Sequence, residues 1–208
     1  MKKLDKETWF KDKIVKSKLE QVWNEEGDYY QACFNEVIMV LKEHKKYYGQ
    51  NIFEDSRFIG RRYKDMIGAH GIGKTAINIG LITEKAHHYK KKKKNEKITK
   101  DHLFGYITIA KTIINAFQKG KIEDDENWLK KYFHLWLVIY VTDEEHHKDS
   151  IGRSNQKSNV NLNYHEKKRM KHYKNVSSLM IDENFKFRKV NEKYKKTVVQ
   201  RNNRIDYG

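Results

Sequence analysis

The seven residues Leu135-Trp136-Leu137-Val138-Ile139-Tyr140-Val141 form the longest apolar run in a chain that is 35% charged. The run falls far short of the roughly 20 residues that cross a bilayer. Its aromatic and β-branched content is that of a short strand buried inside a domain. Thr142-Asp143-Glu144-Glu145 follows at once. Thr142 and Glu145 have the spacing of a capping box, so a helix carrying His146 and His147 should begin where the strand ends. A buried strand feeding directly into a helix is therefore the fixed point around which the rest must pack.

The 208 residues, 38% hydrophobic and 12% aromatic, suffice for one packed domain and are too apolar for a disordered chain. A net charge of +16 and a pI near 9.6 attract polyanions. Nucleic acid is the expected partner, DNA ahead of RNA, with no membrane segment. Cys33 is the single cysteine, so an intramolecular disulfide and a thiolate zinc cluster are excluded. Any metal must then be held by His, Asp, Glu or Asn. No apolar leader follows Met1-Lys2-Lys3-Leu4-Asp5-Lys6-Glu7, which points to a soluble protein of the cytoplasm. The absence of proline and the abundance of Lys, Asn and Ile fit an AT-rich coding sequence, as in many bacteriophages and low-GC bacteria; for a phage-encoded chain the cytoplasm would be that of the host.

Trp9, Phe10, Ile14, Val15, Leu19, Val22 and Trp23, then Tyr30, Phe34, Val37, Ile38 and Leu41, recur at helical intervals on either side of Glu26-Gly27-Asp28. This predicts two amphipathic helices with a break between them. The stretch from Gly49 to Gly80 is glycine-rich and predicts irregular chain. Residues 103 to 117 return to helical periodicity, placing His102 at a helix start with Asp101 as a natural cap. Beyond Asp149 the chain turns polar and then basic. Residues 165 to 204 predict one or two basic helices with Tyr173, Leu179, Phe185, Phe187, Val190 and Tyr194 on their apolar side. The expected class is α+β, mainly helical: N-terminal helices, a small strand-containing centre and basic C-terminal helices. Residues 1–150 would form the compact core and 151–208 a basic extension packed partly on it, as a single domain.

Two motifs compete for the chemistry. Gly68-Ala69-His70-Gly71-Ile72-Gly73-Lys74-Thr75 satisfies G-x-x-x-x-G-K-[ST], in which loop amides and the lysine cradle phosphates. The residues before it, Arg61-Arg62-Tyr63-Lys64-Asp65-Met66-Ile67, do not make the buried strand that a P-loop follows. A basic loop touching a nucleic-acid phosphate is therefore favoured over a nucleotide-binding enzyme. The second motif lies between residues 83 and 105, where His87-His88, the run Lys90 to Lys94, and Lys100-Asp101-His102 supply imidazoles, cations and a carboxylate. These are parts that phosphodiester hydrolysis uses. Each also has a plain alternative: a solvated lysine loop, a capping aspartate, and adjacent histidines that point apart.

Ile98-Thr99-Lys100-Asp101-His102-Leu103 resembles the opening Asp-His of the HNH, or ββα-metal, nucleases. The resemblance implies that His102 is a general base, that Asp101 holds Mg²⁺ or Mn²⁺, that Asn161 or Asn163 orients, and that His165 is the second ligand. Asp143 with His146 is the other choice for completing the metal site. His88 joins Asp101 and His102 as a catalytic candidate, and a metal-free pair of histidines acting as acid and base is also open. Arg61, Arg62, Lys74, Lys91, Lys92, Lys93 and Lys100 are the expected phosphate contacts. The expected function is thus a metal-dependent endonuclease acting on DNA. The alternatives are a non-catalytic basic DNA- or RNA-binding protein and a P-loop enzyme using Gly68 to Thr75.

Overall fold

A computed structural model of the chain describes residues 1–5, 8–49, 76–91, 97–104, 106–122, 127–148, 178–193, 195–197 and 200. Among them the elements run β1 (Lys2–Lys3), a 3-10 turn (Trp9–Lys11), α1 (Lys13–Tyr48), β2 (Ile77–Thr83), α2 (Glu84–Lys91) and β3 (Ile98–His102). They continue with α3 (Tyr106–Gln118), α4 (Trp128–Lys131), a 3-10 turn (Phe133–Trp136), β4 (Leu137–Thr142), α5 (Asp143–Lys148) and β5 (Leu179–Ile181). The fold is α+β and mainly helical, around a five-stranded mixed sheet of order β1-β5-β2-β4-β3. Only β2 and β4 pair in parallel; the other neighbours are antiparallel.

Alternation along the strands divides the sheet into two faces. Ile77, Ile79 and Leu81 of β2, Leu137, Ile139 and Val141 of β4, and Leu179 and Ile181 of β5 join one core with Val22, Phe34, Val37 and Leu41 of α1 and Ile109, Ile113 and Phe117 of α3. Each fully buried aliphatic side chain contributes about 1.5–3 kcal/mol. That is why the inner face carries both long helices. Among the described residues the outer face carries α2.

The capping box is formed as the spacing predicts. The Thr142 N–H donates to Glu145 Oε2 at 3.0 Å and the Glu145 N–H to Thr142 Oγ1 at 3.2 Å, and β4 turns straight into α5. Elsewhere the structure corrects the sequence. The expected N-terminal pair is one helix of 36 residues, opened by the Asp12 carboxylate on the Ile14 N–H and closed at Gly49 with φ 69. A mid-helix glycine costs about 1 kcal/mol. The apolar stripe continues through Val22, Tyr29, Cys33 and Val37 on both sides of Gly27, and its burial outweighs that cost.

Gly80, expected in an irregular stretch, lies within the central strand β2. Asp101 caps no helix: it lies in β3, and its carboxylate accepts from the His102 N–H at 2.8 Å, while α3 begins only at Tyr106. Leu179 belongs to β5 rather than to a basic helix. The described residues after it turn at 183–184, form no regular element to residue 191, and then form short helical turns at 192–193 and 195–197. This segment is tied to α1, since Lys18 Nζ donates to the Phe185 carbonyl at 2.8 Å and Lys189 and Lys195 pair with Glu25 and Glu26 at 2.8 and 2.7 Å. No described helix is long and apolar enough to cross a membrane.

Candidate functional site

The outer face is set out by register. Lys100 of β3 lies opposite Tyr140 of β4, Tyr140 opposite Ile82 of β2, and Ile82 opposite Met180 of β5, so these four residues form one row across the sheet. His102 lies opposite Val138, two residues from Lys100 on the same side and about 7 Å along the strand.

Two structures flank this row. On one side β2 ends at Thr83, whose hydroxyl accepts from the Ala86 N–H at 3.2 Å and donates to Glu145 Oε2 at 2.6 Å. This double tie starts α2 above the sheet and brings His87, half-buried, over Ile82 and Tyr140. On the other side the chain turns back after β5. The Asp182 N–H donates to the Gly80 carbonyl at 3.0 Å and the Phe185 N–H to the Asp182 carbonyl at 3.1 Å. Gly80 permits this approach: its φ is +86, and a Cβ there would sit 2.5 Å from Phe185 Cβ. The register of β2 against β4 shifts between Ile77 and Leu81. Asn78 holds this irregularity, accepting from the Gly80 N–H at 3.0 Å through Oδ1 and donating from Nδ2 to the Tyr140 hydroxyl at 2.9 Å.

Between the flanks lies a cavity of about 280 Å³ lined by Met1, Gly80, Ile82, His87, Lys90, Lys91, Tyr140, Asp182 and Phe185. The Lys100 ammonium sits 5.8 Å from the Tyr140 ring centroid. Burial, then the charges of Lys91, the amino terminus and Lys90, hold the His87 imidazole below its ordinary pKa, with Asp182 opposing them. The surroundings thus disfavour a further cation. They are an environment that an anion would relieve. No protein-family model, curated protein or solved structure matches the chain.

Of the residues singled out in the sequence, Lys91 lines the cavity and Lys100 and His102 share its face of the sheet. His88 is exposed on α2 beside Tyr89. Asp101 lies opposite Ile139, a residue of the inner core, and so belongs to the other face from His102. Asp143 accepts from the Thr99 hydroxyl at 2.7 Å and donates its N–H to the Lys97 carbonyl at 3.1 Å, closing the strand end. It lies five residues along β4 from the partner of His102, about 17 Å away. Arg61, Arg62, Lys74, Lys92, Lys93, Asn161, Asn163 and His165 lie outside the described residues, as does the side chain of His146.

Among the described residues no three of His, Cys, Asp and Glu gather as a metal site. Of the ligand sets that the nuclease resemblance implies, Asn161, Asn163, His165 and the His146 side chain lie outside the described residues, while Asp101 and His102 face opposite ways and Asp143 closes the far end of β4. The P-loop motif Gly68 to Thr75 lies outside the described residues, which resume at Ala76 and enter strand β2 at Ile77.

Tyr140, Asn78, Asp182 and Phe185 are site residues that the sequence did not mark as such, and of the His87-His88 pair it singled out His88 where the cavity takes His87. One signal was present. Ile82-Thr83-Glu84, Ile98-Thr99-Lys100 and Val141-Thr142-Asp143 repeat an aliphatic-threonine-charge pattern, and in β2 and β4 it marks the strand ends from which α2 and α5 start. Tyr140 is likewise the one hydroxyl-bearing side chain in the apolar run that forms β4.

Proposed function

We propose that this chain is a nucleic-acid-binding protein and that the outer face of its sheet meets the phosphate backbone. The carrying observation is the convergence of His87, Lys90 and Lys91 of α2 with Lys100 of β3 around Tyr140. A net charge of +16 draws polyanions from a distance, and ammonium groups gathered at one concave site give the drawn strand a place to bind by releasing its counterions. Asp182 is the one carboxylate among the described residues that line the cavity, and it faces Lys90 and Lys91 there.

Hydrolysis of the bound strand is the second reading, favoured by His102 on the same face as Lys100. An imidazole beside a gripped phosphate can take the proton of the attacking oxygen.

The test is fluorescence anisotropy of labelled DNA and RNA strands at rising salt, with a Lys90→Gln/Lys91→Gln/Lys100→Gln variant beside the wild type. The reading requires a log–log salt slope that falls by about 2–3 in the variant, since each phosphate contact contributes roughly one counterion. An unchanged slope with unchanged affinity would refute it. Incubating the same strands with Mg²⁺, Mn²⁺ or EDTA, beside His102→Ala, decides whether cleavage accompanies binding.

A further inference from the structure

The cavity is more than a row of cations. Lys90 and Lys91 lie at one flank, while Ile82, Tyr140 and Phe185 supply apolar surface and Asp182 a carboxylate. A groove made only for a sugar-phosphate backbone has no use for two aromatic rings, and a carboxylate within it would repel every phosphate that passed. Both features fit a ligand whose two ends differ, with an anion at the lysines and a flat ring bearing hydrogen-bond donors at the other end.

Building on the nucleic-acid reading above, we propose that this cavity takes a single unstacked nucleotide and that the protein therefore selects single strands over duplex. The phosphate of that nucleotide lies against Lys90, Lys91 and His87. Its base lies against Tyr140 and Phe185, and Asp182 accepts from a donor on the base or sugar. A volume of about 280 Å³ is at the small end of ligand sites and suits one nucleotide rather than a run of stacked bases. In duplex the π-faces are already stacked, and only a single strand offers them without a cost in unpairing.

The cavity is also fixed in advance. The Tyr140 hydroxyl is held by Asn78 at 2.9 Å. Phe185 is seated by the close approach at Gly80 and by Lys18 on its carbonyl at 2.8 Å. Aromatic walls positioned before binding lower the ordering cost that a strand must meet.

The experiment is an anisotropy titration of the full chain with a short DNA strand, an RNA strand of the same sequence and the corresponding DNA duplex, all at one salt concentration. Either single strand should bind at least about tenfold tighter than the duplex, the order expected of a base stacked on an aromatic ring. Tyr140→Leu should bring single-strand affinity down to the duplex level while duplex affinity holds, with a retained unfolding transition as the control. Asp182→Asn separates recognition from mere repulsion. A loss confined to single strands supports the cavity, whereas equal gains for single strand and duplex would mean that Asp182 only repels phosphate and would overturn its assigned role. Duplex bound as tightly as single strand would overturn the inference and leave the binding function standing. No binding of any strand would remove the binding function as well.

Discussion

At Gly80 a missing side chain decides the shape of the cavity. Its φ of +86 is a conformation that β-carbon-bearing residues rarely adopt, and a Cβ would meet both Phe185 Cβ at 2.5 Å and Phe185 Cγ at 2.7 Å. Gly80→Ala should therefore cost about 3 kcal/mol, roughly one from the backbone and the rest from displacing the turn after β5. Urea denaturation measures it, and a loss under about 1 kcal/mol would show that the turn yields freely. In the sequence this glycine is indistinguishable from its neighbours in a glycine-rich stretch, because a bulge and a loop call for the same residue.

His87 carries a pH signature. Its folded pKa lies below the ordinary 6.5, so on acidification the unfolded chain takes the proton first. Native stability is unaffected well above 6.5 and falls as pH drops below it. A bound phosphate reverses the preference. Affinity for a nucleic-acid strand should then rise as pH falls from about 7.5 to about 6, more than a His87→Gln variant shows. Equal pH profiles in the two proteins would separate His87 from the bound anion.

Among the elements, β4 and its capping box were the readable part, because an apolar run and a Thr-x-x-Glu pair act over a few residues. The box does more than local spacing implies. Glu145 is buried, and its Oε2 accepts from Thr83 as well as from Thr142, locking the ends of two parallel strands together. Glu145→Ala leaves these donors without an acceptor and should cost about 3 kcal/mol, while Glu145→Gln, which keeps an acceptor, should cost about 1 kcal/mol. Equal losses in the two variants, read from denaturation midpoints, would assign the effect to packing.

Strands β2 and β3 were harder to see. Asn78 and Gly80 interrupt the apolar pattern of β2. The edge strand β3 is polar along much of its length, so its pairing with β4 decides its conformation. The single helix α1 was split in the sequence reading at a glycine whose local cost is smaller than the burial on either side. In each case a tertiary term outweighed the local one.

Across the whole molecule, the net charge raises the expectation of a polyanionic partner but does not say where the proposed site lies. That place follows from layering, with α1 and α3 on the inner face of the sheet and α2 and the turn after β5 on the outer face. The turn is held by pairs such as Lys189–Glu25 and Lys195–Glu26, which span most of the chain and leave no trace in local sequence. The same distance hid Asp182 and Phe185 from the sequence reading, and nothing local to Thr83 or Thr142 shows that one glutamate joins the ends of β2 and β4.

The central claim is that nucleic acid meets this outer face rather than the basic surface at large. Ultraviolet cross-linking of the full chain to a thiouridine-containing strand, with the adducts located by mass spectrometry, tests it most directly. Adducts are expected on Tyr140, on α2 around His87, and on residues 182–185. Adducts confined to α1, with none on the outer face, would contradict it.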